Sequence, residues 1–258
     1  MLTSADSSPT LFRFRLAAAL TVACCVVLVG VKPVGSAPAN PHVEIPEAVD
    51  GYSSAVDDLL TSKGKQPIEP VFENGMKAAP QVQAVLPELT EAQFQQVQHQ
   101  MQGFIVVRHD AIIVRPSVDY FKNLSRKSGT KADRAFFDIY QRTEPDGNGP
   151  FPAYVQQQTD QTGCTRFDGK LMVDLYRGWL TFRTTYPDAY APEAQGEIDS
   201  IETELLSGIC TCGNAEQTAA NLTAFINAFP DLPITPKIKN RIAEIRSGTS
   251  KFRFNCRG

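Results

Sequence analysis

Cys164, Cys210, Cys212 and Cys256 are the residues of this 258-residue chain whose type and spacing best suit chemistry. Two of them flank a single threonine, and the other two stand about 45 residues to either side. Four such thiols can form two disulfides, hold a metal or run a redox cycle. A metal site of this kind draws on further thiol or imidazole ligands, and His42, His99 and His109 all lie far from the cysteines in sequence. An even set of cysteines in an exported chain reads as structural disulfides. A bridge between Cys210 and Cys212 would strain the geometry of the S–S link. That leaves Cys164–Cys210 with Cys212–Cys256, or Cys164–Cys212 with Cys210–Cys256. Either pairing ties the tail back to the Cys210-Thr211-Cys212 segment, and each bridge stabilises by about 3–4 kcal/mol in the chain-entropy account. No metal and no cofactor is expected.

The disulfide reading presupposes export, and residues 1–39 carry the signal for it. Arg13 and Arg15 precede an unbroken apolar run from Leu16 to Val31, and Ala37-Pro38-Ala39 follows. A positive start, an apolar middle and a small-residue site mark a secretory signal peptide cleaved after Ala39. Two other readings stay open: an uncleaved N-terminal anchor with the body outside, and lipidation at Cys24. In each case residues 40–258 face a non-cytoplasmic compartment. Any contact with a membrane is expected only through the N-terminal segment, if it stays uncleaved.

Other patterns are weaker. There is no phosphate-binding glycine loop, no HExxH zinc motif, no GxSxG elbow and no calcium loop. Glu144, Asp146 and Asn148 alternate with Pro and Gly, but the closing glutamate of a calcium loop is missing, so a turn is expected. Arg108, His109 and Asp110 interrupt an apolar stretch. A glycosidase would need two carboxylates in one cleft, which spacing along a chain cannot identify. Asn123 and Asn221 begin glycosylation sequons inside expected helices. Removing Arg13, Arg15, Lys32 and Asp6 from the 25 basic and 28 acidic residues leaves 22 and 27. That mild acidity, with no cluster of Lys or Arg, argues against nucleic acid as a partner.

The elements that must carry these residues are mostly helical. Residues 40–46 read as an extended leader and 47–258 as one globular domain. Val49, Val56 and Leu60 share a helical face with Ser53, followed by a loop rich in Lys, Gly and Pro to about Pro80. Thr90 with Gln93, and Asn214 with Gln217, have the capping-box spacing. Further helices are expected over 117–128, 131–142, 170–186, 193–206 and from Thr235 to a stop at Gly248. Tyr176, Trp179, Phe182 and Tyr186 recur at helical spacing, which suits a core stripe better than a ligand platform. The result is a mainly α fold of seven or eight helices, with room for one short hairpin, stapled by two disulfides.

Two segments bear on architecture and function. Phe104–Val114 can be a hairpin turning at Arg108-His109-Asp110. It can also be a buried helix continuing the stripe of Phe94, Val97 and Met101. The phase kept across Gly103 favours the helix, whose polar residues would then pair with Asp138 or Glu144. Thr143–Cys164 reads as a long irregular loop, and Phe151 and Tyr154 are its candidate anchors for a partner. With no catalytic signature, a non-enzymatic role is expected. The chain reads as an exported protein that binds another protein or a cell-envelope component, as an inhibitor, immunity-type or accessory factor. The alternative is a helical envelope hydrolase acting on cell-wall glycan through a Glu or Asp.

Overall fold

The computed structural model describes residues 43–108, 111–159 and 162–256. The signal-peptide, anchor and Cys24 readings therefore lie outside the described residues, as do His109 and Asp110. Nine α-helices occur among the described residues: α1 Glu47–Thr61, α2 Glu69–Val85, α3 Glu91–Gln100, α4 Val118–Lys127, α5 Lys131–Thr143, α6 Gly169–Thr185, α7 Ala191–Ser207, α8 Ala215–Ala228 and α9 Thr235–Ser247. Two antiparallel hairpins accompany them, β1 Phe104–Val107 with β2 Ile113–Pro116, and β3 Val155–Gln157 with β4 Gly163–Thr165. No helix of the described residues is long and apolar enough to cross a membrane. The described residues form a single compact unit.

Local signals start and stop most helices. Thr90 and Gln93 form the expected capping box on α3, as Asn214 and Gln217 do on α8. Each box satisfies two amides that the helix itself cannot pair. A further box, Thr130 with Asp133, opens α5. Gly248 ends α9 at a φ of 72°, a left-handed conformation in which Gly carries no steric penalty.

The structure corrects two expectations. The stretch expected as a loop to about Pro80 is helical from Glu69 onward, where α2 begins and runs through Pro80 in its interior. Proline removes one helical hydrogen bond and weakens the local propensity. Burial of Val71, Phe72, Ala78, Ala79 and Val82 against α1 and the core offsets that loss. Residues 104–114, expected as helix, contain the strands of the first hairpin, with Phe104 opposite Pro116 and Val107 opposite Ile113. Gly103 decides this. It sits at a φ of 90°, where a Cβ would strike the Tyr120 ring, so the chain leaves α3 instead of continuing its stripe. The β-branched residues that follow suit a strand. Arg108 lies over the Phe94 ring at 4.2 Å, donates to Leu89 O at 2.7 Å and pairs with Glu91. Asp138 pairs instead with Lys122, at 2.7 Å.

The core between α2, α4, α5 and α6 is aromatic. Phe72, Phe121, Phe136, Phe137, Trp179 and Tyr190 are all fully enclosed. Tyr176, Trp179 and Phe182 are core residues, as their spacing suggested. Trp179 Nε1–H donates to Thr143 Oγ1 at 3.0 Å, which satisfies its one polar atom. Tyr190 stacks on Phe136 with ring centroids 3.8 Å apart and holds a φ of 49°. That left-handed backbone costs about 1–2 kcal/mol for a non-glycine residue. Three contacts hold it: the stack, an N–H donated to the Glu69 carboxylate, and an O–H donated to Asp133 Oδ1 at 2.6 Å.

Asp133 is 1% exposed and its carboxylate is fully used. Besides Tyr190 it accepts from Ile68 N at 3.1 Å, Thr130 N at 2.6 Å and Thr130 Oγ1 at 2.7 Å. One side chain thus joins the start of α2, the cap of α5 and the entry to α7. Asp133→Ala should cost about 3 kcal/mol in urea denaturation, because it strands several buried donors. Asp133→Asn should cost less. A loss below about 1 kcal/mol for the alanine variant would show that those donors have other partners.

Candidate functional site

Two places in the domain bring together groups with chemical potential. The first is the disulfide-tied C-terminal region. β4, the segment 209–212 and the tail 252–256 lie side by side. Thr165 N donates to Cys210 O and Cys212 N to Thr165 O, at 2.9 and 3.0 Å. Arg253 N donates to Ile209 O at 2.8 Å and Thr211 N to Arg253 O at 3.0 Å. With 209–212 between its two neighbours, the pairing left open by the sequence is decided. Cys164 joins Cys212 on the β4 side, and Cys210 joins Cys256 on the tail side. The four cysteines are therefore structural bridges in this fold.

Arg241 on α9 fixes the end of α7 to this region. Its guanidinium donates to the carbonyls of Glu204 at 3.2 Å, Leu205 at 2.6 Å and Gly208. Those are orphan acceptors at the negative end of a helix dipole. The same guanidinium lies 3.8 Å over the Phe252 ring, and burial pushes its pKa down to about 10. Between α7, α9 and the tail runs an open groove of about 660 Å³. Its walls include Ile209, Lys237, Arg241, Glu244, Lys251 and Phe252. Ile209 is 58% exposed, the highest value for a large apolar side chain among the described residues. Lys237 and Lys251 are exposed and make no ion pair among the described residues.

The second place is a pair of half-buried carboxyls where the end of α5 meets α7. Burial pushes Glu144 up to about 7, opposed by Arg115. Burial first, and then the charge of Glu144, push Glu197 up to about 8. Neither carboxylate accepts a hydrogen bond among the described residues. Tyr140 and Tyr154, 8% and 4% exposed, are both raised, by burial first and then by these two glutamates. Arg115, the cation that opposes the rise of Glu144, is committed elsewhere. It bonds Asp146 O at 2.8 Å and pairs with the Asp146 carboxylate at 3.5 Å. Asp146 in turn accepts from Ser117 Oγ, Val118 N and Asp119 N, at 2.8, 2.9 and 3.1 Å. The Glu144–Asn148 stretch is thus a turn whose aspartate caps α4.

The expected loop anchors fare differently. Residues 143–164 are less irregular than composition suggested, because β3 and β4 fold part of them into a hairpin. Tyr154 sits in the core, so its ring has no face to offer a partner, a correction to its expected role as an exposed anchor. Phe151 is half-buried and keeps some surface. The groove residues escaped the sequence reading because they come from three distant segments. Glu144 and Glu197 escaped it as a pair for the same reason. No group of three or more His, Cys, Asp or Glu among the described residues is placed to hold a metal. Comparison of the chain with protein-family models, with curated proteins and with solved structures finds no match.

Proposed function

We propose that this is an exported protein, periplasmic or secreted, that binds another macromolecule through the groove between α7, α9 and the C-terminal tail. The observation that carries the reading is an unpaired basic lining around an exposed Ile209, on a domain in which acids outnumber bases. A free apolar side chain ringed by charged groups is the usual anatomy of a contact surface. The two bridges of the domain, one of which holds the tail wall of the groove, persist in oxidising compartments, which supports export. Inhibitor, immunity-type factor and envelope accessory protein all fit such a surface.

The test is affinity capture of the oxidised protein from its own envelope or culture fluid, beside a Lys237→Glu/Lys251→Glu variant. Both lysines are exposed, so the variant should fold. A stoichiometric partner bound by the wild type and lost by the variant is the expected result. A partner retained equally by both would remove the groove from the account.

The carboxyl pair favours a second reading, a hydrolase acting on envelope glycan. A carboxyl raised to about 8 stays protonated at neutral pH and can act as a general acid, while its neighbour at about 7 is half ionised and can act as a base. Neither carboxyl lines the groove, so the two readings have separate sites. Release of reducing ends from purified cell wall, lost in Glu197→Gln, would put this reading first. Absence of release from the wild type across pH 5–9 would remove it.

A further inference from the structure

We propose that the groove takes an extended, acidic segment of a partner protein, lying along the tail beside Phe252 and Ile209. The inference rests on the groove being the binding site and names what occupies it.

Charge is the first argument. Lys237, Arg241 and Lys251 face the groove with Glu244, and Glu204 is a second carboxylate whose charge acts on Arg241. Arg241 spends its hydrogen bonds on carbonyls, which leaves its positive charge without a bonded anion. On a domain with an acidic balance, this local excess of cation complements an acidic ligand. The second argument is the backbone of the tail. Arg253 turns both its N–H and its C=O inward to the 209–211 segment. In extended chain the adjacent residues point their backbone groups the other way. Phe254 N–H, and the carbonyls of Phe252 and Phe254, accordingly bond nothing among the described residues. An extended partner can pair with that short edge. The third argument is the apolar anchor. Ile209 is held by its carbonyl in the ladder and by Cys210 next to it in a disulfide, so its side chain is presented without further ordering cost. A lone apolar contact beside cations suits alternating acidic and apolar side chains better than a phosphate backbone, which offers no apolar group at that place.

The experiment is amide-resolved NMR on the oxidised protein with three probes. One is an acetylated octapeptide alternating glutamate with leucine or valine. The second has lysine in place of glutamate. The third is the acidic peptide with alternate backbone amides methylated. The acidic peptide should shift the amides of Ile209, Lys251, Phe252 and Phe254. The lysine peptide should not, and methylation should weaken binding at least tenfold. In Lys237→Glu/Lys251→Glu the shifts should vanish while the rest of the spectrum stays folded. Acidic and lysine peptides acting alike, shifts confined to another surface, or no shift at all would each overturn the proposal. If the peptides fail but the captured partner is still lost from the double variant, the groove binds and only the acidic-segment inference falls. If capture ignores the double variant, the binding reading falls with it.

Discussion

The protein should resist urea better at pH 5 than at pH 9, and Glu197→Gln should remove about half of that difference. An ordinary glutamate in the unfolded chain loses its proton near pH 4.5, whereas Glu144 and Glu197 keep theirs to about 7 and about 8 when folded. Below pH 4.5 both states hold the protons, and the pair contributes nothing to pH dependence. Between pH 4.5 and 8 the folded state binds more protons than the unfolded one, so stability falls as pH rises. Above pH 8 both carboxyls are ionised in the fold and the full penalty applies. Water entering around the charged pair moderates that penalty to about 4 kcal/mol in all. Glu69 and Glu193, also raised by burial, act in the same direction. Glutamine mimics the protonated acid. Glu197→Gln should therefore be near neutral at pH 5 and stabilise by about 2 kcal/mol at pH 9. Urea midpoints at the two pH values decide it. Equal stability at both, or a variant weaker than wild type at pH 9, would show that the carboxyls are hydrated in the fold.

Breaking either disulfide should cost about 4 kcal/mol, because each bridge closes a long loop in the unfolded chain. The bridges span sequence separations of 48 and 46 residues. Their structural consequences should differ. Replacing Cys210 and Cys256 with serine frees the tail, so the amides of Thr211 and Arg253, which form the ladder there, should exchange faster. The groove should lose its tail wall and any captured partner with it. Replacing Cys164 and Cys212 should instead loosen β4 and leave the tail bridged to Cys210. Urea midpoints and hydrogen exchange on the two double variants separate these effects. Labelling the unreduced protein should find no free thiol among the four. Two or more labelled cysteines would return redox or metal chemistry to consideration.

Much of the fold was legible locally. The face of Val49 and Val56, the Tyr176–Phe182 stripe and the stop at Gly248 each depend on residues within a few turns of one another. So do both expected capping boxes. Short-range hydrogen bonds and side-chain periodicity set these, and the chain needs no distant partner to display them. Two cysteine pairings could likewise be retained and a third set aside from covalent geometry alone. The errors arose where local evidence was weak or divided. The stretch up to about Pro80 has the composition of a loop, yet from Glu69 it is helix through burial against α1. Residues 104–114 keep a helical phase on paper, yet one left-handed glycine turns them into a hairpin.

The sequence by itself determined a mainly helical body, four cysteines arranged for two bridges, and a mild acidic balance. Only the tertiary structure decided which cysteines join, that Tyr154 belongs to the core, and that Glu144 meets Glu197. It alone also assembled Ile209, Lys237 and Lys251 around one groove. Each of these depends on distances between residues remote along the chain. Such distances follow from how helices pack, and periodicity within one helix does not specify which other helix it will face.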